Sequence, residues 1–253
     1  MIPSSPKPEP AAVDPSFETV RGLIKTGRDS LAKIQTYQVA MNRQERVGDE
    51  LQPAETVILS VRRDPKAIRL EWAEGSHKGR EVLYSSASHG GMIHINMADS
   101  VLPIPRMSLA PDSPMVMRNS RHPITEAGLD AILDKLESSL PAKPGMNPAD
   151  RVVYEGIVTP PEVAAPCHKI TRKTSEGESW VIYLDAKTAI PTFVEASGPD
   201  GQLLERYAFT KLTTDPASLA EASAFDPDLR WGAPRGLFGR MAQGAGSATT
   251  APR

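Results

Sequence analysis

Tyr37-Gln38-Val39-Ala40-Met41-Asn42-Arg43-Gln44-Glu45, and further on Thr56-Val57-Ile58-Leu59-Ser60-Val61-Arg62, are the residues whose reading decides the fold. Tyr37, Val39 and Met41 stand at every second position, as do Val57, Leu59 and Val61, and then Ile68, Leu70 and Trp72. Strand side chains point to alternate faces, so this spacing predicts strands with one apolar and one polar face. Five strands are expected, over 37–45, 55–63, 67–72, 81–85 and 92–97, with Gly48-Asp49-Glu50 and Arg63-Asp64-Pro65-Lys66 among the turns. Connections this short predict an antiparallel meander. Its apolar face has to be covered by a helix, a second sheet or a ligand.

Towards the N-terminus, Asp14-Pro15 reads as a helix cap with proline at the first helical position. The helix is expected over 15–35, with Phe17, Val20, Leu23, Ile24, Leu31 and Ile34 on its apolar side and a break at Thr26-Gly27. Towards the C-terminus the period is lost over 98–123, where Pro103, Pro105, Pro111, Pro114 and Pro123 punctuate an apolar, methionine-bearing crossing. Exposed, its Leu102, Ile104, Met107, Leu109, Met115, Val116 and Met117 would form one apolar patch, so a lid over the open side of the sheet is expected. Thr125-Glu126-Ala127-Gly128 leads into a second helix carrying Leu129, Ile132, Leu133, Leu136 and Leu140, stopped by Pro141. Five further strands are expected over 151–158, 167–172, 180–184, 192–196 and 203–211. Gly198-Pro199-Asp200-Gly201 is the strongest hairpin signal. The domain is drawn over 15–227, between a proline-rich lead at 1–14 and a tail at 228–253 whose Gly, Ala, Ser and Thr predict mobility.

Composition narrows the function classes. The 253 residues are 40% hydrophobic, enough to bury a core, and 29 basic residues against 31 acidic ones give a net charge of -2. A polyanion would find no basic field, so nucleic acid is not expected as a partner. The single cysteine, Cys167, excludes an internal disulfide. No apolar run reaches the roughly 18 to 20 residues of a membrane helix, so an integral membrane protein is not expected. The proline-rich lead resembles the linker that follows a removed secretion signal.

The polar candidates are few. Cys167-His168 would suit a thiol nucleophile and its base, but strand neighbours face opposite ways. His89 and His94, with His77 or His122, match no known ligand spacing, and no metal is expected. His122, ahead of the second helix, would hydrogen-bond the crossing in place or face water. The Arg62-Arg63-Asp64-Pro65-Lys66 run would meet an anionic headgroup or be a solvated turn, and Glu71 with Glu74 lacks any companion marking acid and base. Gly75, Gly79, Gly90 and Gly91 have no phosphate-cradling spacing.

Ile34-Gln35-Thr36-Tyr37 running into Arg43-Gln44-Glu45, then Val82-Leu83-Tyr84, Tyr183-Leu184-Asp185 with Ile190-Pro191, and Asp200-Gly201 with Glu205-Arg206-Tyr207 are similar to strand positions of the LolA/LolB-like lipoprotein-carrier half-barrel superfamily. Arg121-His122-Pro123-Ile124-Thr125-Glu126-Ala127-Gly128 resembles a mark of an uncharacterised exported bacterial branch, a domain of unknown function. The resemblance spans 15–227. It implies an α+β fold, an antiparallel incomplete β-barrel wrapped around helices, that binds a lipid or a lipoprotein acyl chain in the periplasm or cell envelope, without catalysis or cofactor. A cell-envelope protein-interaction module is the alternative, and a hydrolase dependent on His122 or Cys167 the second. Flexible methionines suit a surface that repacks around varied ligands, or simply fill a core. The ligand-binding residues expected are Val39, Met41, Leu59, Val61, Leu70, Trp72, Ile93, Ile95, Met115 and Met117.

Overall fold

A computed structural model describes residues 15–97, 106–118, 120–141 and 150–232. The lead at 1–14, most of the tail and residues 98–105 of the crossing lie outside them, so the mobility expected of the tail and the front of the lid are not part of the description. In chain order the elements are α1 (Pro15–Leu31), β1 (Thr36–Val47), β2 (Glu50–Leu51), β3 (Glu55–Arg62), β4 (Ala67–Glu71), β5 (Arg80–Ser85), β6 (Ile93–Met97), β7 (Met107–Leu109), α2 (Pro114–Met117) and α3 (Leu129–Ser138). There follow β8 (Arg151–Val158), β9 (Cys167–Lys173), β10 (Ser179–Asp185), β11 (Pro191–Ser197), β12 (Leu203–Thr214), α4 (Ala217–Ala220) and α5 (Pro227–Trp231). Short 3-10 turns occupy His89–Gly91, Ile124–Glu126 and Ala222–Ala224.

Hydrogen bonding joins the strands in the order β7-β6-β5-β4-β3-β1-β12-β11-β10-β9-β8, with β2 attached to β1. The path has two ends, so the sheet is open, and its hairpin-linked neighbours run antiparallel. This is the α+β, incomplete-barrel class that the resemblance implies. All ten strands expected from alternation are present, within a residue or three at their ends. Two are additional. β2 closes a two-residue hairpin on Arg46 and Val47, and β7 puts Met107–Leu109, expected as irregular, onto the edge of β6. Prolines at 105 and 111 in the sequence flank the five residues that hold this strand, a setting suited to a short edge strand and not to a central one.

The chain forms two compact units. The first comprises Met1–Ile34, Ala40–Glu55 and Glu126–Lys211, the second Gln35–Val39, Thr56–Thr125 and Leu212–Arg253.

In the first unit α1 packs on α3 and β8, and α3 also meets β11. Val20, Ile24 and Leu31 of α1 and Leu129, Leu133 and Leu136 of α3 are buried at three- and four-residue spacing, as an amphipathic helix requires. Thr26-Gly27 does not break the helix. Gly27 is buried where a Cβ would come to 2.6 Å from the Ala189 carbonyl oxygen and 3.0 Å from Leu133 Cδ1, so glycine is there to allow close approach. Helix α1 does stop at Leu31 rather than 35, because the next N–H groups turn elsewhere: Lys33 and Ile34 bond back three residues in a tightened last turn. The Arg43-Gln44-Glu45 and Glu205-Arg206-Tyr207 phrases meet here. Arg43 holds Glu55 at 2.5 Å and Glu45 at 3.4 Å, and the Tyr207 hydroxyl donates to Glu45 at 2.9 Å. Burial, and then the Glu205 and Glu45 carboxylates, push the Tyr207 phenol far up, so it remains a donor.

The second unit is built on β3 to β7. Its C-terminal segment does not end at Asp226-Pro227-Asp228, as the turn residues suggest, but turns there into α5: Asp226 caps the helix by accepting from Asp228 N and Leu229 N, with Pro227 at its first turn. Asp215 ties the start of that segment to the beginning of β1, its carboxylate accepting from Gln35 N at 2.9 Å and Thr36 N at 2.8 Å while its own N–H donates to Thr36 O at 2.7 Å.

Candidate ligand-binding face

The register of β3 to β7 sorts the second unit's side chains into two faces. Residues directly opposite one another in antiparallel strands share a face. On one face a first row runs Val61, Ile68, Tyr84, Ile93, Leu109 and a second runs Leu59, Leu70, Val82, Ile95, Met107. Trp72 continues this face beyond Leu70, where Arg80 stacks over its ring at 5.9 Å. Each row crosses five strands, roughly 19 Å at the usual spacing between neighbours. The rows grade from dry to wet. Leu59, Val61, Ile68 and Leu70 are buried, as is Ile93, whereas Val82, Tyr84, Ile95, Met107 and Leu109 on β5 to β7 are half-buried.

The other face carries Ser60, Arg69, Leu83, His94 and Ser108 in one row and Ile58, Glu71, Glu81 and Asn96 in the next. The C-terminal segment straps it. Ala67 packs with Leu219, Ala224 and Phe225; Arg69 donates to Ala224 O at 3.1 Å, and Arg62 lies over the Phe225 ring. Arg230 grips both oxygens of Glu81 at 2.5 and 2.6 Å, and Trp231 Nε1 donates to Glu81 at 2.7 Å. Burial works to raise the Glu81 carboxyl, but these bonds outweigh it and hold the group below the ordinary glutamate value.

Of the residues expected to bind ligand, the structure brings Leu59, Val61, Leu70, Trp72, Ile93 and Ile95 onto this one apolar face. Val39 is buried in the β1 part of the same unit, and Met41, also buried, belongs to the first unit. Met115 and Met117 stand on α2, Met115 57% exposed and Met117 half-buried. Sequence reasoning did not count Val82 and Tyr84 among the ligand-binding residues, and it expected Met107 and Leu109 in a lid where the structure has them in the sheet. The 82/84 alternation was there to be read, but nothing local marks Met107–Leu109 as a strand.

The polar candidates are largely used by the fold. Cys167 Sγ is buried 3.6 Å from Thr192 Oγ1 and its thiol is pushed up, first by burial, while His168 Nδ1 is paired with the Tyr154 hydroxyl at 2.9 Å. Lys66 donates to Thr125 O and Arg62 to Pro65 O, so the basic run is a closed turn. Glu71 lies 3.7 Å from Arg69 and 3.8 Å from Arg230. Ser120 Oγ braces the His122 backbone, donating to its carbonyl at 3.0 Å.

A family model described as a protein of unknown function, DUF1571, matches residues 34–230. No curated protein matches the chain. Similar solved structures include an uncharacterized conserved protein from Thermus thermophilus, at 11% identity and a TM-score of 0.47, covering 83% of this chain and 96% of that one. The Mycobacterium tuberculosis lipoprotein LppX is similar at 12% identity and a TM-score of 0.46, over 79% and 97% of the two chains. A LolA superfamily protein from Nitrosomonas europaea is similar at 8% identity and a TM-score of 0.33, over 83% and 98%.

Proposed function

Since the chain belongs to the DUF1571 family, whose description assigns no activity, we propose from the geometry itself that it binds an apolar ligand, a lipid or an acyl chain, on the face formed by the two rows. One observation carries the proposal: the C-terminal segment packs on the polar face at Ala67, Arg69 and Glu81, while on the apolar face Val82, Tyr84, Ile95, Met107 and Leu109 stay half-open to solvent. An apolar surface left partly in water gains by being covered, at about 25 cal/mol per Å². The deep end at Leu59 and Leu70 gives the rows a fixed floor, and the methionine and tyrosine at the open end adapt to a ligand's shape. The reading needs no bond-making step. It accords with the carrier role that the sequence resemblance implies and with a site in the periplasm or envelope. Among the described residues no helix is long and apolar enough to cross a membrane.

The test is saturable binding of a fluorescent fatty acid to protein stripped of lipid, beside lipid extraction and mass spectrometry of freshly purified protein. Ile95→Asp and Leu109→Asp place a charge among the rows at half-open positions and should weaken binding at least tenfold with little loss of thermal midpoint. Binding that does not saturate, or a polypeptide retained in place of lipid, would overturn the proposal in favour of a protein-interaction module.

A further inference from the structure

On the strapped face of the second unit three side chains converge from segments far apart in sequence, and a fourth adjoins one of them. Asp226 and Asp228 stand at the start of α5, His89 sits in the turn before β6, and His94 points from β6 beneath the strap. His89 Nε2 lies 3.3 Å from Asp226 Oδ2, and one ligand atom each from His89, Asp226 and Asp228 lie within 4.8 Å of one another. Zinc with nitrogen and oxygen donors about 2.1 Å away has ligand atoms roughly 3.4 Å apart, so the His89–Asp226 edge already has that spacing. The cluster alone would be an ordinary ion pair. What marks it is His94: its ring meets His89 edge-on at 5.0 Å, it is 7% exposed, and among the described residues neither ring nitrogen has a hydrogen-bond partner.

We propose that His89, His94, Asp226 and Asp228 form a site for one divalent transition-metal ion of the zinc class, on the face opposite the apolar rows. Two features fit it. Buried imidazole nitrogens are nearly always satisfied, and a metal satisfies one where no protein donor or acceptor does. Both carboxylates are already oriented: Asp226 spends Oδ1 on the helix cap and turns Oδ2 to His89, while Arg106 stands beside Asp228 at 2.7 Å. That approach lacks hydrogen-bond direction, so Arg106 Nη1 and Asp228 Oδ1 meet as an ion pair and not as a hydrogen bond. The backbone N–H groups that hold Asp226 Oδ1 are the kind of outer partner that orients a carboxylate ligand. Two imidazoles among four donors favour zinc, cobalt or nickel over calcium and magnesium, which take oxygen. The ion would close the turn at His89 onto α5 and so latch the strap.

Titration of zinc chloride into chelator-stripped full-length protein tests this by calorimetry, with cobalt(II) loading to read the ligand field in the visible spectrum. One equivalent of zinc should bind, raise the thermal midpoint, and bind at least tenfold more weakly to His89→Ala and to Asp226→Asn. The asparagine keeps the helix cap, so the folded state is retained for comparison. His94→Gln should weaken binding and alter the cobalt bands. Calcium and magnesium at equal concentration should give no stoichiometric binding. Absence of a one-to-one zinc complex overturns the proposal, as does zinc binding unchanged in His89→Ala and Asp226→Asn, which would place the ion at other histidines. A cobalt spectrum unchanged in His94→Gln overturns the four-ligand site.

Discussion

Single residues carry definite energies here. Leu59 is fully buried, opposite Leu70, on the apolar face. Leu59→Asp removes an apolar side chain worth about 1.5 to 3 kcal/mol and buries an unpaired charge as well, so several kcal/mol of stability should go. An unchanged denaturant midpoint would show that the face is not core. Gly27 makes the opposite point, because helix propensity alone favours Gly27→Ala by about 1 kcal/mol. The Ala189 carbonyl stands where the new methyl would go, and backbone cannot move aside as a side chain can. Overpacking should win and the variant should lose about 1 to 3 kcal/mol. A raised melting temperature would contradict the packing of α1 against that loop.

At the scale of elements, α5 and the segment leading to it are held by a few directional bonds. Glu81 receives three of them, from Arg230 and Trp231. Its folded value is depressed, so the stability it lends is fully present above the unfolded glutamate value and is lost as pH falls through the lower, folded one. Acid should therefore release α5 before the sheet unfolds. Trp231 fluorescence, compared with a Trp231→Phe background, should report a transition in the acid range below an ordinary glutamate that Glu81→Gln abolishes. A tryptophan signal flat until global unfolding would mean that the apolar contacts of Leu219 and Phe225 hold the strap alone. The edge strand β7 is the counterpart on the other side of the sheet. A strand of only three residues, with prolines close by in the sequence, is a poor template for another chain, which favours occupation of its face over pairing with its edge.

At the scale of the molecule, the open sheet gives the second unit two chemically unlike faces, and each has its own expected occupant. The apolar rows should take a fatty acid probe; the strapped face should take zinc. The two should be separable. Ile95→Asp should weaken probe binding at least tenfold while leaving the zinc isotherm intact, since Ile95 and His94 are strand neighbours on opposite faces. Loss of both in that variant, with the thermal midpoint preserved, would show that the sites share a surface and that the two-face assignment is wrong.

Alternation along the chain determined the strands, because whether a side chain points in or out of a pleated sheet is fixed by its position two residues at a time. Val57, Leu59 and Val61 could be placed on one face with no knowledge of their neighbours, and Pro15 and Gly198-Pro199-Asp200-Gly201 marked a helix start and a turn by their own backbone chemistry. Partner choice is not local. That β1 pairs between β3 and β12 depends on residues more than 150 positions apart. Only the tertiary structure could show that Gly27 is small for the sake of Ala189, that Arg230 and Trp231 return to Glu81, or that Asp226 and Asp228 come to His89. Such groups meet because packing brings their elements together, and no spacing in the sequence encodes a distance between segments that the chain connects only through the rest of the fold.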